Sequence, residues 1–292
     1  MSDTASSSSR TAVAAVIGYA IRESVRRKVF AVVLILTVGF LALYALGVHF
    51  AFRDTQGFAG FDVINTKAFT GATLLGLAMF ATLFLGAVVA VFLTMGVVRG
   101  DAETGLLQPL VVRPLGRRTM LLARFAGAAT FAAAYGLIVY LCATLITGAI
   151  GGWWPDHVLT PGLGLAAGLV IVAALSLLAS VFLSSTAQGI AVLMIFGAGL
   201  TAGLLGQIGD AINSDSLSDI AKVASWILPF EALYQGGLHA LTSNTTGLTG
   251  EAISLGPFGG PQGAGAGLVF WALIYLVGTL AAACLWFARR DL

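Results

Sequence analysis

The residues of this chain best equipped for chemistry lie in one short stretch, "RGDAETGLLQPLVVRPLGRR", residues 99–118. Asp101 can cap a helix start, and Glu103 then falls in the first turn, where the helix dipole favours an acid. Leu106, Leu107 and Leu110 offer an apolar edge, and Pro109 and Pro114 limit the helix to about two turns. Arg113, Arg117 and Arg118 follow and can pair with lipid phosphate or with acids on another protein. This is chemistry of recognition, with no bond made or broken. Taken alone, these residues fit two roles equally well. One is a stiff amphipathic lever that docks a partner; the other is a basic loop that merely pins the orientation of the chain in a membrane.

Catalytic and metal-binding patterns are missing from the sequence. There is no HExxH, no metal-spaced Cys/His set, no GxSxG elbow and no glycine-rich loop ending in Lys-Ser/Thr. His49, His157 and His239 are scattered, so no cofactor and no metal is expected on this chain. Cys142 and Cys284 fall in apolar runs and read as small buried hydrophobes.

The elements that must position the charged stretch are membrane helices. Of 292 residues, 58% are hydrophobic and 10% charged, and mean hydropathy is +0.96; soluble domains carry about 25% charged residues. The apolar blocks are about 20 residues long or more, the length a helix needs to cross a bilayer. Six spans are expected, at about 29–50, 70–98, 121–150, 162–184, 187–209 and 265–288. The expected fold is therefore an all-α polytopic membrane protein of a single domain.

Basic residues set the orientation, because loops on the cytoplasmic side keep Lys and Arg. Twelve of the 15, namely Arg10, Arg22, Arg26, Arg27, Lys28, Arg99, Arg113, Arg117, Arg118, Arg124, Arg289 and Arg290, fall on one side, leaving Arg53, Lys67 and Lys222 on the other. Both termini are thus expected in the cytoplasm. The net charge of +2 is a topology signal, and no nucleic-acid footprint is visible.

Outside the spans, residues 1–10 are Ser-rich and expected to be disordered. Over 11–28 apolar side chains recur at helical spacing while Arg22, Arg26 and Arg27, with Lys28 at the end, gather elsewhere, the pattern of an interfacial helix lying on the cytoplasmic membrane surface. A plain extension of the first span is the alternative. On the opposite side, 210–264 is too broken by Pro229 and Gly236-Gly237 to span and too apolar for a solvated loop. Short re-entrant helices in the outer leaflet are expected there, in a segment that carries Pro229 and Phe230 and puts Trp226 and Tyr234 at the interface. Gly164/Gly168 and Gly199/Gly203 recur four apart and permit close helix approach.

No expected span interior contains Asp, Glu, Lys, Arg or His; Thr82, Thr94, Thr144, Gln188 and Gln207 are the most polar candidates, and helix packing accounts for each. An ion-coupled carrier normally needs an ionisable or cation-coordinating site at membrane depth. Any uphill transport must then draw energy from another protein.

The stretch "ETGLLQPLVVRPLGRR" resembles the coupling-helix motif of ABC transporter permeases of the second type, the exporters of drugs, lipids and antibiotics. The likeness runs through Glu103, Gly105, Leu107, Leu110, Val111, Arg113, Pro114 and Arg117; Leu106 and Gly116 depart from the Thr and Ser of that pattern. "ESVRRKVF" before the first span, "LPFEAL" before the last and the terminal "FARRDL" are similar to the same family. This resemblance implies six helices, an N-terminal interfacial helix, a cytoplasmic coupling helix after the second span and short extracellular helices before the sixth. It also implies two permeases, as two copies or a copy with a paralogue, joined to two cytoplasmic ATPase subunits that bind ATP and Mg. The chain itself would be a non-enzymatic transport subunit of a bacterial cell membrane, exporting a hydrophobic or amphipathic substrate. A permease that moves nothing and passes force to an extracytoplasmic partner, a carrier or channel working without ATP, and a membrane-embedded enzyme are the competing readings.

Overall fold

The computed structural model describes residues 28–55, 65–95, 117–212, 214–254 and 265–289, with Gly256 and Gly263; side chains are described from Ala31 on, those of Thr55, Arg117, Asp210, Ala211 and Ser254 excepted. Among the described residues every regular element is helical. Six helices are long and apolar enough to cross a membrane: α1 (Lys28–Thr55), α2 (Thr66–Thr94), α3 (Arg117–Ile146), α4 (Leu159–Phe182), α5 (Ser185–Ala211) and α9 (Ala266–Arg289). Between α5 and α9 lie three short helices, α6 (Asp215–Ile227), α7 (Pro229–Leu241) and α8 (Gly247–Ser254).

The spans agree with the sequence expectation in number and order, and differ at their ends. Helix α3 starts at Arg117, four residues earlier than hydropathy suggests, because an arginine at a helix end disfavours lipid without disfavouring helix. At its far end Thr147–Gly151 form a π turn that stops at Gly152, whose φ of 64° is a left-handed conformation a side chain would resist.

Helix α4 is the hub. It packs against α2, α3, α5, α7 and α9, and Leu165, Leu169, Ala173, Leu177 and Val181 on it are fully buried. By contrast α1, α5 and α9 turn broad apolar faces outward, including Ile35, Leu43, Met194, Phe270 and Val277. In water such faces would drive aggregation; for a bilayer protein they are the surface offered to lipid or to another membrane helix.

Hydroxyl pairs lock the peripheral α1 onto α3. Thr37 Oγ1 lies 2.7 Å from Tyr135 Oη, and Tyr44 Oη lies 2.6 Å from Thr147 Oγ1. At one end of the bundle, three spans meet in a buried polar knot. Thr94 of α2 donates to Ser176 Oγ of α4 at 2.7 Å, and the Gln188 amide of α5 donates to Ser176 O at 3.0 Å. This knot sits one residue from where the described part of α2 ends, beside the stretch that carries the charged segment.

Helices α6 and α7 form a hairpin at the other end. Pro229 has no amide hydrogen to continue α6, yet its fixed φ suits the first position of α7. Leu228 N closes α6 on Ala224 O at 2.8 Å. The hairpin turns deep in the bundle: Phe230 packs at Gly168 of α4 and Gly199 of α5, while Gly237 returns to Pro161 near the start of α4. At 1.5 Å per residue, Gly168 is about 14 Å below the first residue of α4.

Candidate functional site

Two regions bear on function, and the structure describes them unequally. Asp101, Glu103, Gly105, Leu106, Leu107, Leu110, Arg113 and Pro114 lie outside the described residues, as do Arg22, Arg26 and Arg27. Lys28 is the first residue of α1, and Arg117 the first of α3; Arg118 is exposed. The structure thus brings none of the coupling residues together beyond placing the last two on the first turn of α3.

The hairpin is fully described. Four glycines of α4 and α5 make room for α7, and these are the two pairs visible in the sequence. A Cβ on Gly164 would come 2.9 Å from the Leu233 carbonyl oxygen, and one on Gly168 would come 3.2 Å from that of Phe230. On α5, a Cβ at Gly199 would strike the Phe230 ring, and one at Gly203 would collide with Oε1 of Glu231. The small-residue stripes therefore serve the docking of one short helix between two spans. Phe230 is fully buried there and stacks on Phe196 at 5.4 Å.

Trp226 is exposed, and its carbonyl accepts a 2.9 Å hydrogen bond from Trp271 Nε1, fixing the hairpin turn to α9. Tyr234 corrects the expectation: it is 3% exposed and belongs to the core. It follows Phe230 by four residues, so the face of α7 that enters α4 carries it inward. At the outer end of α7, Asp156 N donates to Leu241 O at 3.0 Å and Asn244 N donates to Asp156 Oδ2 at 2.8 Å.

Glu231 is the residue that reading the sequence missed as a site. It belongs to none of the six spans, yet the hairpin carries it to the level of Gly203, about 12 Å from the end of α5. It is 5% exposed, and its Oε1 has no hydrogen-bond partner among the described residues. A polar strip approaches it from one side, with Gln207 Nε2 donating to Gln235 Oε1 at 3.1 Å and the Gln235 side chain bonding the carboxyl. Beside it opens a cavity of about 380 Å³, walled by Trp226, Lys222, Leu268 and Trp271 as well as by Gln207 and Gln235. The expectation that the span interiors carry no Asp, Glu, Lys, Arg or His concerned the spans alone, and this buried acid comes from the hairpin between two of them. The available signal was an acid inside the apolar run "WILPFEALY".

Burial raises the Glu231 carboxyl from 4.5 to about 7, opposed in part by the Gln235 hydrogen bond. Between those values the folded protein holds a proton that the unfolded chain has released. The stability that the neutral carboxyl contributes is full below the unfolded value and is lost as pH rises through about 7. Thermal unfolding of the detergent-solubilised chain is therefore expected at higher temperature at pH 5 than at pH 8, and Glu231→Gln should shrink that difference.

Six helices long and apolar enough to cross a membrane define a multi-pass membrane protein. The profile of the ABC-2 family transporter proteins matches residues 14–292. The chain belongs to that family and is a permease subunit of an ABC transporter, a class that works with an ABC ATPase. A comparison with curated proteins finds no matching sequence.

Proposed function

We propose that this permease exports a hydrophobic or amphipathic substrate across a bacterial cell membrane, driven by two copies of a separate cytoplasmic ATPase that bind ATP and Mg. Both termini and the segment 99–118 face the cytoplasm, and the hairpin lies in the outer leaflet. A second permease, identical or paralogous, completes the pore. The observation that carries this reading is the family match over 14–292, taken with the charged segment between the second and third spans.

The mechanics follow from where the segment attaches. It joins α2 to α3 in the sequence, so a push on it acts on both spans. At the root of α2, the Thr94–Ser176–Gln188 knot ties α2 to α4 and α5 through hydrogen bonds of 2.7 and 3.0 Å. Movement of α2 is thereby passed to the two spans that grip the hairpin. ATP binding that closes the ATPase dimer would shift this set together and open a path outward; this chain's part is positional throughout.

Flux from proteoliposomes tests the proposal. With the ATPase and ATP present, an amphipathic dye should leave the cytoplasmic-side compartment. Gradient-driven flux through the chain alone would support the carrier or channel reading instead.

A further inference from the structure

We propose that the cavity beside Glu231 is a binding site for an amphipathic primary amine, its protonated amino group against the Glu231 carboxyl and its apolar body against Trp226 and Trp271. The cavity volume of about 380 Å³ falls within the size of small-molecule sites, about 300–1,000 Å³, and its wall combines apolar surface with a few convergent polar groups in the usual way. What is unusual is the state of the acid. A buried carboxyl oxygen with no partner costs free energy that a donor entering the cavity would recover.

The neighbouring groups select the charge of that donor. Gln235 already spends its amide oxygen on Gln207, so the strip offers the carboxyl one amide and no cation. Lys222, on α6, is the cation among the described cavity residues. Its Nζ lies 3.3 Å from Asp219 Oδ1, and both side chains are more than two-thirds exposed, so its charge is balanced at the rim. The stretches of α4, α5 and α9 that face Glu231, around Gly168, Gly203 and Leu268, carry no ionisable residue, and Tyr234, its neighbour on α7, is a phenol. An anion would meet the carboxylate unfavourably, and a bare metal ion would find one carboxylate where a cluster is needed; no group of three or more acid, His or Cys ligands occurs among the described residues.

An amine with an apolar body uses the rest of the wall. The Trp226 and Trp271 indoles are 5.4 Å apart and inclined at 58°, surfaces that suit an aliphatic or aromatic body and that attract a cation through their faces. Trp226 is exposed on the outer surface of the bundle, so the cavity can be reached from the membrane, where such molecules concentrate. The site asks nothing of ATP or of a partner, so its test is independent of the proposed transport.

The test uses the full-length chain in phosphatidylcholine nanodiscs at pH 7.5 with dansylcadaverine, a dansyl group bearing a primary alkylamine, and the matching dansyl alcohol. Energy transfer from tryptophan to dansyl, less that of empty nanodiscs, reports occupancy. The amine is expected to bind saturably, about tenfold or more tighter than the alcohol, since a hydrogen bond to a charged group is at stake. Excess hexylamine should displace it, and Glu231→Gln should bring the two probes to equal affinity. Equal binding of amine and alcohol to the unsubstituted chain, a comparison that needs no variant, would overturn the proposal; so would an amine preference that persists in Glu231→Gln.

Discussion

Replacing Glu103 or Arg113 with Ala is expected to cut ATP-driven flux by about tenfold or more while leaving the spans folded and the chain in the membrane. Both residues are charged and lie between the second and third spans in the sequence, so loss of partner contact, and not loss of the apolar core, is the expected route. Their charges are suited to fixing a short helix against a partner, Glu103 through the helix dipole and Arg113 through a forked, charge-assisted pair. Removing a charged partner from such a contact typically costs 2–5 kcal/mol, about thirtyfold or more in an equilibrium. The measurement is dye efflux from proteoliposomes alongside recovery of the ATPase with the chain. Unchanged efflux in both variants would return the segment to the role of a topological loop.

The second large effect is structural. Gly164→Leu should lower the thermal unfolding temperature by several degrees, and Gly197→Leu should be nearly silent, although both glycines lie within spans four residues or fewer from other glycines. The difference is what waits beyond the Cα. At Gly164 a Cβ meets the Leu233 backbone oxygen at 2.9 Å, and at Gly197 nothing lies within 4 Å. A backbone atom cannot turn aside as a rotamer does, so α7 must move as a body, and overpacking of that kind costs about 1–3 kcal/mol or more. Because α7 carries Glu231, the same variant should also blunt the pH dependence of unfolding. Scanning fluorimetry of the two variants side by side separates a specific contact from a general dislike of leucine.

Gly164 and Gly168 show how much could be read from the sequence. Their spacing announced close approach, but not what would approach. In a bilayer the partner of a small-residue stripe is set by packing in three dimensions, and here it is a 13-residue helix from sixty residues further on. The spans themselves were legible because the need for about 20 apolar residues is a constraint on composition alone. Their ends were not: α2 ends at Thr94, with Met95 extended beyond it, whereas hydropathy alone runs on to 98. For the hairpin, Pro229 and Gly236-Gly237 indicated a broken segment, while its depth followed only from the glycine contacts. Glu231 was overlooked for the same reason. An acid reads as exposed until the structure shows the turn that buries it. The coupling residues, conversely, were conspicuous by type and spacing, and the described structure adds to them only the helix start at Arg117.

The central claim is that mechanical work enters through segment 99–118 from an ATPase on the cytoplasmic side. It is tested most directly by placing a single cysteine at Leu107, with Cys142 and Cys284 replaced, and adding a short bifunctional thiol–amine cross-linker to the assembled complex. The expected result is a covalent adduct with the ATPase whose yield changes with bound nucleotide and whose formation stops efflux. Labelling of that cysteine by an impermeant maleimide from the outer face, with no adduct to the ATPase, would contradict the account.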